Sequence, residues 1–232
     1  MTEKINTILG VDDIFKAPAQ LLEILLNKDM REKIFLQFLE LFNYKLDFDY
    51  FHVYFQSEAA QRQKYGQDFT PMSVSGLLAG LTENKGEQGG MRFDSTAGTG
   101  GLLIAKWNQD RLQHSPLSIK RGMSVYKPSM YLYFAEELSD RAFPFLIFNM
   151  AIRGMNGAAI HCDSLSRECY GVFLIQNDND NPIGFSSVNV MPYSKQSAQH
   201  FNVKFIEKKY PAHIESLPHY YMNKEEYASA FS

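Results

Sequence analysis

One short stretch constrains the fold of this chain more than any other: residues 93–101 read FDSTAGTGG. An apolar residue and an acid come first, a turn of small residues with three glycines follows, and apolar residues at helical spacing come after it. Glycine lets the backbone approach a ligand closely, and a helix that begins there directs its free N–H groups at that ligand. The stretch therefore predicts a strand, a tight turn and a helix that together hold a nucleoside ligand.

From this turn onward, apolar strands alternate with helical patterns. Strands are predicted over residues 91–94, 130–134, 158–162 and 171–176, helices over 100–113 and 139–153, and two later strands over 185–190 and 203–206. Repeated strand–helix units with apolar strands predict the α/β class, with a mostly parallel sheet and helices on both faces. Ahead of them, the spacing of apolar residues over 16–26 and 30–42 predicts a helical hairpin. We therefore divide the chain into an N-terminal helical region, residues 1–65, and an α/β domain, residues 66–232.

Acidic side chains follow the predicted strands. Asp94, Glu137 and Asp163 stand at the ends of three successive strands, and the segment Asn177–Asn181 follows the fourth. Ligands of an open parallel sheet bind at the carboxyl ends of its strands. There, Asp94 can accept from a ligand ammonium group, Glu137 from both hydroxyls of a ribose, and Asp163 from an adenine amino group. Each acid alone is more typical of a helix cap or a solvated strand end, but the set favours a nucleoside site.

A dinucleotide site and a P-loop fit the glycine turn less well. The third glycine of G-x-G-x-x-G would fall at Leu103. The candidate ribose acid, Glu137, stands 43 residues after Asp94, whereas dinucleotide-binding folds place it about 20 residues on. A P-loop needs Gly-Lys-Ser or Gly-Lys-Thr after its glycines, and this turn has neither. A mononucleoside-type ligand therefore remains the better interpretation.

Composition narrows the class of protein further. The formal net charge is −3, whereas a stand-alone DNA-binding domain usually carries a basic excess. If nucleic acid is the substrate, a local groove or a partner must supply the affinity.

The two cysteines, Cys162 and Cys169, show no zinc pattern and are expected to be reduced thiols. Because no apolar run approaches the length of a membrane span and the N-terminus does not read as a signal peptide, we expect a cytoplasmic protein.

Several stretches, in an unbroken order, resemble motifs of adenine-specific DNA methyltransferases, in particular the modification subunits of type I restriction systems. GQDFTP at 66–71 resembles G-Q-x-F-T-P, and 94–101 resembles D-P-A-C-G-T-G-G, with Ser95 for Pro and Ala97 for Cys. AEEL at 135–138 and FNMAIRG at 148–154 resemble G-Q-E-L and M-N-L-x-L-H-G. CDSL at 162–165 resembles G-D-S-L. The resemblance thus covers roughly residues 60 to 166.

The resemblance implies a Rossmann-like class I methyltransferase fold and S-adenosylmethionine as the cofactor. It also implies transfer of the methyl group to the amino group of adenine in DNA. The implied cofactor-binding residues fall into four groups: Phe69, Thr70 and Pro71; Asp94, Ala97, Gly98, Thr99, Gly100 and Gly101; Glu137; and Asp163, Ser164 and Leu165.

The catalytic motif of that family, N-P-P-F or N-P-P-Y after the fourth strand, is altered in this chain. In the family, the Asn side chain and the first Pro carbonyl accept from the amino group of a flipped adenine, and the aromatic ring stacks on the base. One alignment places the motif at Asn181, Pro182 and Phe185, whereas the other begins at Asn177 and lacks both prolines. A third interpretation is a polar turn between two strands.

The resemblance also bears on partners. Only 50 residues follow Pro182, so we do not expect a DNA-recognition domain within them. We expect DNA as a partner, with its target sequence selected by a separate specificity subunit. We do not expect a membrane as a partner. Two functional classes stay open: a methyltransferase, and a non-catalytic relative that keeps the cofactor pocket and acts as a partner or regulatory subunit. The cofactor motifs do not identify the acceptor, so RNA or protein stays open as well.

Overall fold

The computed structural model describes residues 1–52, 54, 72–81, 89–114 and 125–217. Its α-helices are α1 (Thr2–Leu9), α2 (Ala17–Leu25), α3 (Lys28–Leu41), α4 (Met72–Leu81), α5 (Gly101–Leu112), α6 (Phe143–Ile152) and α7 (Lys195–His200). Short 3-10 helices span Ile14–Lys16 and Pro128–Met130. The strands are β1 (Gly90–Asp94), β2 (Tyr131–Glu137), β3 (Gly157–Cys162), β4 (Glu168–Gln176), β5 (Ser187–Val190) and β6 (Lys204–Phe205). The predicted helical hairpin corresponds to α2 and α3, and α1 precedes it.

The six strands form one sheet in the order β1-β2-β3-β4-β5, and β6 pairs with β4. β1, β2 and β3 run parallel, with Asp94 beside Ala135 and Glu137 beside His161. The β3–β4 and β4–β5 pairings are antiparallel, and β4–β6 is parallel. The predicted α/β class with a mostly parallel sheet is therefore confirmed, and the antiparallel pairs make the sheet a mixed one.

The direction of β4 differs from the prediction. Residues 163–167 connect β3 to β4, and a parallel neighbour would need a crossover of roughly a dozen residues or more. The two strands instead form a hairpin, in which Ile175 near the end of β4 pairs with Gly157 at the start of β3. We name the side where β1, β2 and β3 end the carboxyl end of the sheet, and the side where they begin the amino end. β4 therefore ends at the amino end.

One hydrophobic core joins the N-terminal helices to the sheet. Ile5 on α1 and Phe38 on α3 belong to the same buried cluster as Phe148 on α6 and Phe173 on β4. The rings of Phe35 and Phe38 each lie 4.8 Å from the ring of Phe148. Helices α1, α2 and α3 are thus packed into the α/β core. The predicted domain boundary between residues 65 and 66 lies outside the described residues and stays a prediction.

The opposite face of the sheet has its own apolar cluster. Neighbouring residues of a strand point to opposite faces. Ala159 on β3 belongs to the first core, whereas Ala158 and Ile160 belong to the second, together with Phe201 and Val203 after α7. The chain around α7 therefore covers the second face beside β3 and β4, while α6 and the N-terminal helices cover the first.

Candidate cofactor-binding site

The glycine turn has the geometry that the sequence predicts. β1 ends at Asp94 and α5 begins at Gly101. Between them, Gly98 and Gly100 have φ of +57° and +95°, the left-handed region that glycine adopts without steric cost. The side chain of Asp94 accepts from the Thr96 N–H at 3.1 Å, which closes the start of the turn. Burial raises the pKa of Asp94 above its ordinary value, although this hydrogen bond acts in the opposite direction.

The carboxylate of Glu137 is the second part of the site, and the turn contacts it directly. One oxygen accepts from the Gly98 N–H at 2.7 Å, and the other accepts from the Ser139 N–H at 2.7 Å. In addition, the Ala97 N–H donates to the Glu136 carbonyl at 2.9 Å. These bonds hold the glycine turn against the end of β2 and fix the orientation of the half-buried Glu137 side chain.

The neighbouring acid, Glu136, has a different role. Its side chain is 2% exposed and pairs with Arg167 at 2.7 Å. Arg167 lies in the turn between β3 and β4 and also donates to the carbonyl of Asn202 at 2.9 Å. Glu136 therefore stabilises that turn, and of the two successive acids only Glu137 faces the glycine turn.

Asp163, Ser164 and Leu165 form the hairpin turn after β3, at the same end of the sheet as Glu137. The side chain of Asp163 accepts from the Leu165 N–H at 2.8 Å, and this bond, with a weaker one from Ser166, lowers the pKa of Asp163. Leu165 is 93% exposed. The turn thus places an ionised carboxylate and an apolar side chain at the carboxyl end of the sheet, the end at which the sequence predicts them.

Thr99, in contrast, faces the protein interior. It is 2% exposed, and its hydroxyl donates to the buried Asp49. Asn149 on α6 donates to the Thr99 carbonyl oxygen at 2.7 Å and to Asp49 at 2.8 Å. Sequence reasoning missed Asp49 and Asn149 as parts of the site. The available signal was the FNMAIRG stretch, which resembles a family motif and contains Asn149.

The segment Asn177–Asn181 does not reach this site, and its predicted position at the carboxyl end is wrong. Because β4 is antiparallel to β3, the segment follows β4 at the amino end of the sheet. The backbone N–H of Asn177 donates to the Asn156 side chain at 2.8 Å, just before β3. Its amide side chain donates to the carbonyls of Gly154 and Asn181 at 3.2 and 2.8 Å. The interpretation as a polar turn between two strands is therefore the one that the structure supports.

Pro182 and Phe185 lie in the same connection between β4 and β5, which is also at the amino end of the sheet. Pro182 is exposed, and Phe185 packs against the first core with its ring 5.1 Å from that of Phe35. The geometry does not bring Asn181, Pro182 or Phe185 to Asp94, Glu137 or Asp163. A catalytic role that requires contact with a cofactor at the carboxyl end does not fit these positions.

The remaining sequence predictions concern three cofactor-binding residues, the two cysteines, metal ions and membrane spans. Phe69, Thr70 and Pro71 lie outside the described residues. Cys162 and Cys169 are both buried free thiols, and burial raises the pKa of each to about 12. No group of three or more His, Cys, Asp or Glu side chains within the described ranges could hold a metal ion. In the same ranges, no helix has the length and apolar character needed to cross a membrane.

One of the comparisons with known proteins identifies a family. The family described as N-6 DNA methylase matches residues 48–211, which is more than half of the chain and includes the glycine turn, Glu137 and the β3–β4 hairpin. No curated protein and no solved structure matches the chain. The sheet and its helices are consistent with a class I methyltransferase fold. The chain therefore belongs to the N-6 DNA methylase family.

Proposed function

We propose that the chain binds S-adenosylmethionine at the carboxyl end of its sheet and takes part in methyl transfer to the amino group of adenine in DNA. The observation that carries the proposal is the contact between the Gly98 N–H and the Glu137 carboxylate at 2.7 Å. It joins the glycine turn to the candidate ribose-binding acid, which comes from the next strand. Membership of the N-6 DNA methylase family supports the methyl-transfer chemistry.

The residues at this end of the sheet fit the chemical groups of that cofactor. Each oxygen of Glu137 accepts one backbone N–H and keeps a second lone pair, which suits the two hydroxyls of a ribose. Among the described residues, no side chain caps α5 at Gly100, so the first N–H groups of this helix remain available to a ligand. Asp94 can accept from the ammonium group. The bound cofactor supplies a methyl group on a sulfonium, and the chain positions it.

A second candidate is a cofactor-binding subunit that receives the acceptor-binding residues from another polypeptide. The specific observation is that Asn181-Pro182, the one Asn-Pro pair of the sequence, follows β4 at the amino end of the sheet. In either case, we infer that a separate specificity subunit selects the DNA sequence, because a net charge of −3 does not favour stand-alone DNA binding.

Two measurements test the proposal and separate its two forms. Calorimetric titration of the folded protein with S-adenosylhomocysteine, the demethylated product, should show saturable binding; a null titration contradicts the cofactor assignment. Transfer from tritiated S-adenosylmethionine is then measured on duplex DNA that contains adenine and on a poly(dG)·poly(dC) control. Label that appears only in the adenine-containing DNA, as N6-methyladenine by mass spectrometry, supports the enzyme. Binding without transfer selects the cofactor-binding subunit.

A further inference from the structure

Behind the glycine turn, Asp49 connects the segment after α3 to the candidate cofactor site. It is 4% exposed, and its two carboxylate oxygens accept from different partners, the Thr99 hydroxyl and the Asn149 side chain. Asn149 also donates to the carbonyl oxygen of Thr99 at 2.7 Å. Thr99 is thus held from inside the protein at both its hydroxyl and its carbonyl oxygen.

Arg153 on α6 fixes the orientation of Asn149. Its guanidinium donates to the side-chain oxygen of Asn149 at 2.8 Å, so the amide nitrogen must face Asp49 and Thr99. The Nε and Nη2 groups of Arg153 donate to the carbonyl oxygens of Leu46 and Phe48 at 2.8 and 2.6 Å. Arg153 therefore fixes the backbone that carries Asp49 as well.

Thr99 is the residue of the turn whose fixation matters most. It stands between Gly98 and Gly100, which both have positive φ and would otherwise allow the turn many conformations. Gly98 donates to Glu137, and Gly100 is the N-cap of α5, so the position of Glu137 against the turn and the start of α5 both depend on the geometry at Thr99. A site that is held in its binding geometry loses less conformational entropy when the ligand binds.

We propose that Asp49 is a positioning residue for the cofactor: by holding Thr99, it keeps the Gly98 and Gly100 backbone in the geometry that binds S-adenosylmethionine. This inference rests on the proposed function and extends it to a residue outside the glycine turn. Asp49 acts through Thr99 from the buried side of the turn, so its effect is on cofactor affinity.

The test compares affinity with stability in matched variants. Thr99→Val keeps the shape of the side chain and removes the hydroxyl, whereas Thr99→Ser keeps the hydroxyl. Tyr54→Phe is the control, because the Tyr54 hydroxyl donates to the side chain of Asn6 on α1, at 2.6 Å, in the same core. The dissociation constant for S-adenosylhomocysteine is measured by calorimetry at a temperature where each variant is folded by circular dichroism, and the unfolding free energy by urea titration.

We expect Thr99→Val to weaken binding about tenfold, the equivalent of one lost hydrogen bond. Thr99→Ser and Tyr54→Phe should bind within about twofold of the wild type. If Thr99→Val does not fold, Asp49→Asn takes its place, with weakening in the same direction expected. Two results overturn the inference while the proposed function stands. One is unchanged affinity in Thr99→Val, or in Asp49→Asn where it takes its place, and the other is a loss of affinity in Tyr54→Phe as large as that in Thr99→Val. Absence of binding by the wild-type protein overturns the proposed function, and this inference with it.

Discussion

The two ends of the sheet carry similar turns of small and polar residues, yet their hydrogen bonds differ. At the carboxyl end, Gly98 and Ser139 donate to Glu137 and leave its carboxylate half-buried, with acceptor capacity for a ligand. At the amino end, the side chain of Asn177 donates to two backbone carbonyls and accepts from the Asn181 N–H at 2.9 Å. One turn keeps groups available to a ligand, and the other uses its polar groups to stabilise itself. The composition of a turn therefore does not identify a binding site.

The largest effect is expected at the amino end, on stability. Arg31 on α3 is 1% exposed and forms two hydrogen bonds with Glu215, at 2.5 and 2.6 Å. Arg31→Met leaves the Glu215 carboxylate buried with fewer partners, and breaking such a pair typically costs about 3–5 kcal/mol. Urea titration measures the loss, and the affinity for S-adenosylhomocysteine of the folded fraction should not change. In the double variant Arg31→Met/Glu215→Leu, part of the stability should return; a double variant less stable than the single one contradicts this account.

The same contact predicts a dependence of stability on pH. Burial alone would raise the pKa of Glu215, but hydrogen bonds from His213 and Arg31 outweigh it and lower the pKa to about 2, from an ordinary value of 4.5. Because the folded-state pKa is depressed, this stabilisation is fully present above pH 4.5 and is lost as the pH falls towards 2. The loss amounts to roughly 3 kcal/mol. Urea titrations between pH 6 and pH 2 should show that Glu215→Gln loses less unfolding free energy than the wild type does. An equal dependence of the unfolding free energy on pH in the two proteins would refute the assignment.

At the carboxyl end, the expected effect is on affinity. Glu137→Gln removes the charge that would accept both ribose hydroxyls, and a hydrogen bond to a charged group contributes about 1.5–3 kcal/mol. The affinity for S-adenosylhomocysteine should therefore fall roughly tenfold to a hundredfold by calorimetry. Glu136→Gln is the matched control, because this adjacent acid pairs with Arg167 and does not face the turn. The affinity of Glu136→Gln should stay close to that of the wild type. If Glu136→Gln weakens binding more than Glu137→Gln does, the assignment of Glu137 to the ribose is wrong.

The smallest effect is expected for Asn181→Ala at the amino end. The Asn181 side chain accepts from the Ile183 N–H at 3.1 Å in an exposed turn, so its loss should lower the unfolding free energy by about 1 kcal/mol. Cofactor affinity, and methyl transfer where it is observed, should not change. A selective loss of methyl transfer at unchanged stability would restore the catalytic interpretation of this residue.

Much of the secondary structure follows from the sequence, because local patterns control it. Apolar residues at helical spacing predicted α2 and α3, and the alternation of apolar runs with helical patterns predicted β1, α5, β2, α6 and β3 in order. The positions of the acids follow from the same pattern. Parallel strands all end at the carboxyl end of the sheet, so an acid at or just after the last residue of β1, β2 or β3 lies at that end. Asp94, Glu137 and Asp163 could therefore be placed at one end of the sheet from their positions alone.

The direction of β4 was predicted wrongly, although the sequence carried a signal for the correct direction. Its residues from Val172 to Ile175 are apolar and all buried, and such a continuous apolar run is typical of a parallel strand covered on both faces. The five residues between Cys162 and Glu168 are nevertheless too few for a crossover to a parallel strand. The length of this connection, rather than the composition of the strand, decides its direction.

The sequence by itself determined the glycine turn, because positive φ at Gly98 and Gly100 is a local backbone property, and it determined the order of the acids along the chain. Only the tertiary structure decided which polar turn shares an end of the sheet with that glycine turn, and that Asp49 holds Thr99. These contacts join residues up to 100 positions apart, such as Asp49 and Asn149. Their geometry depends on strand pairing and core packing, which no local pattern encodes.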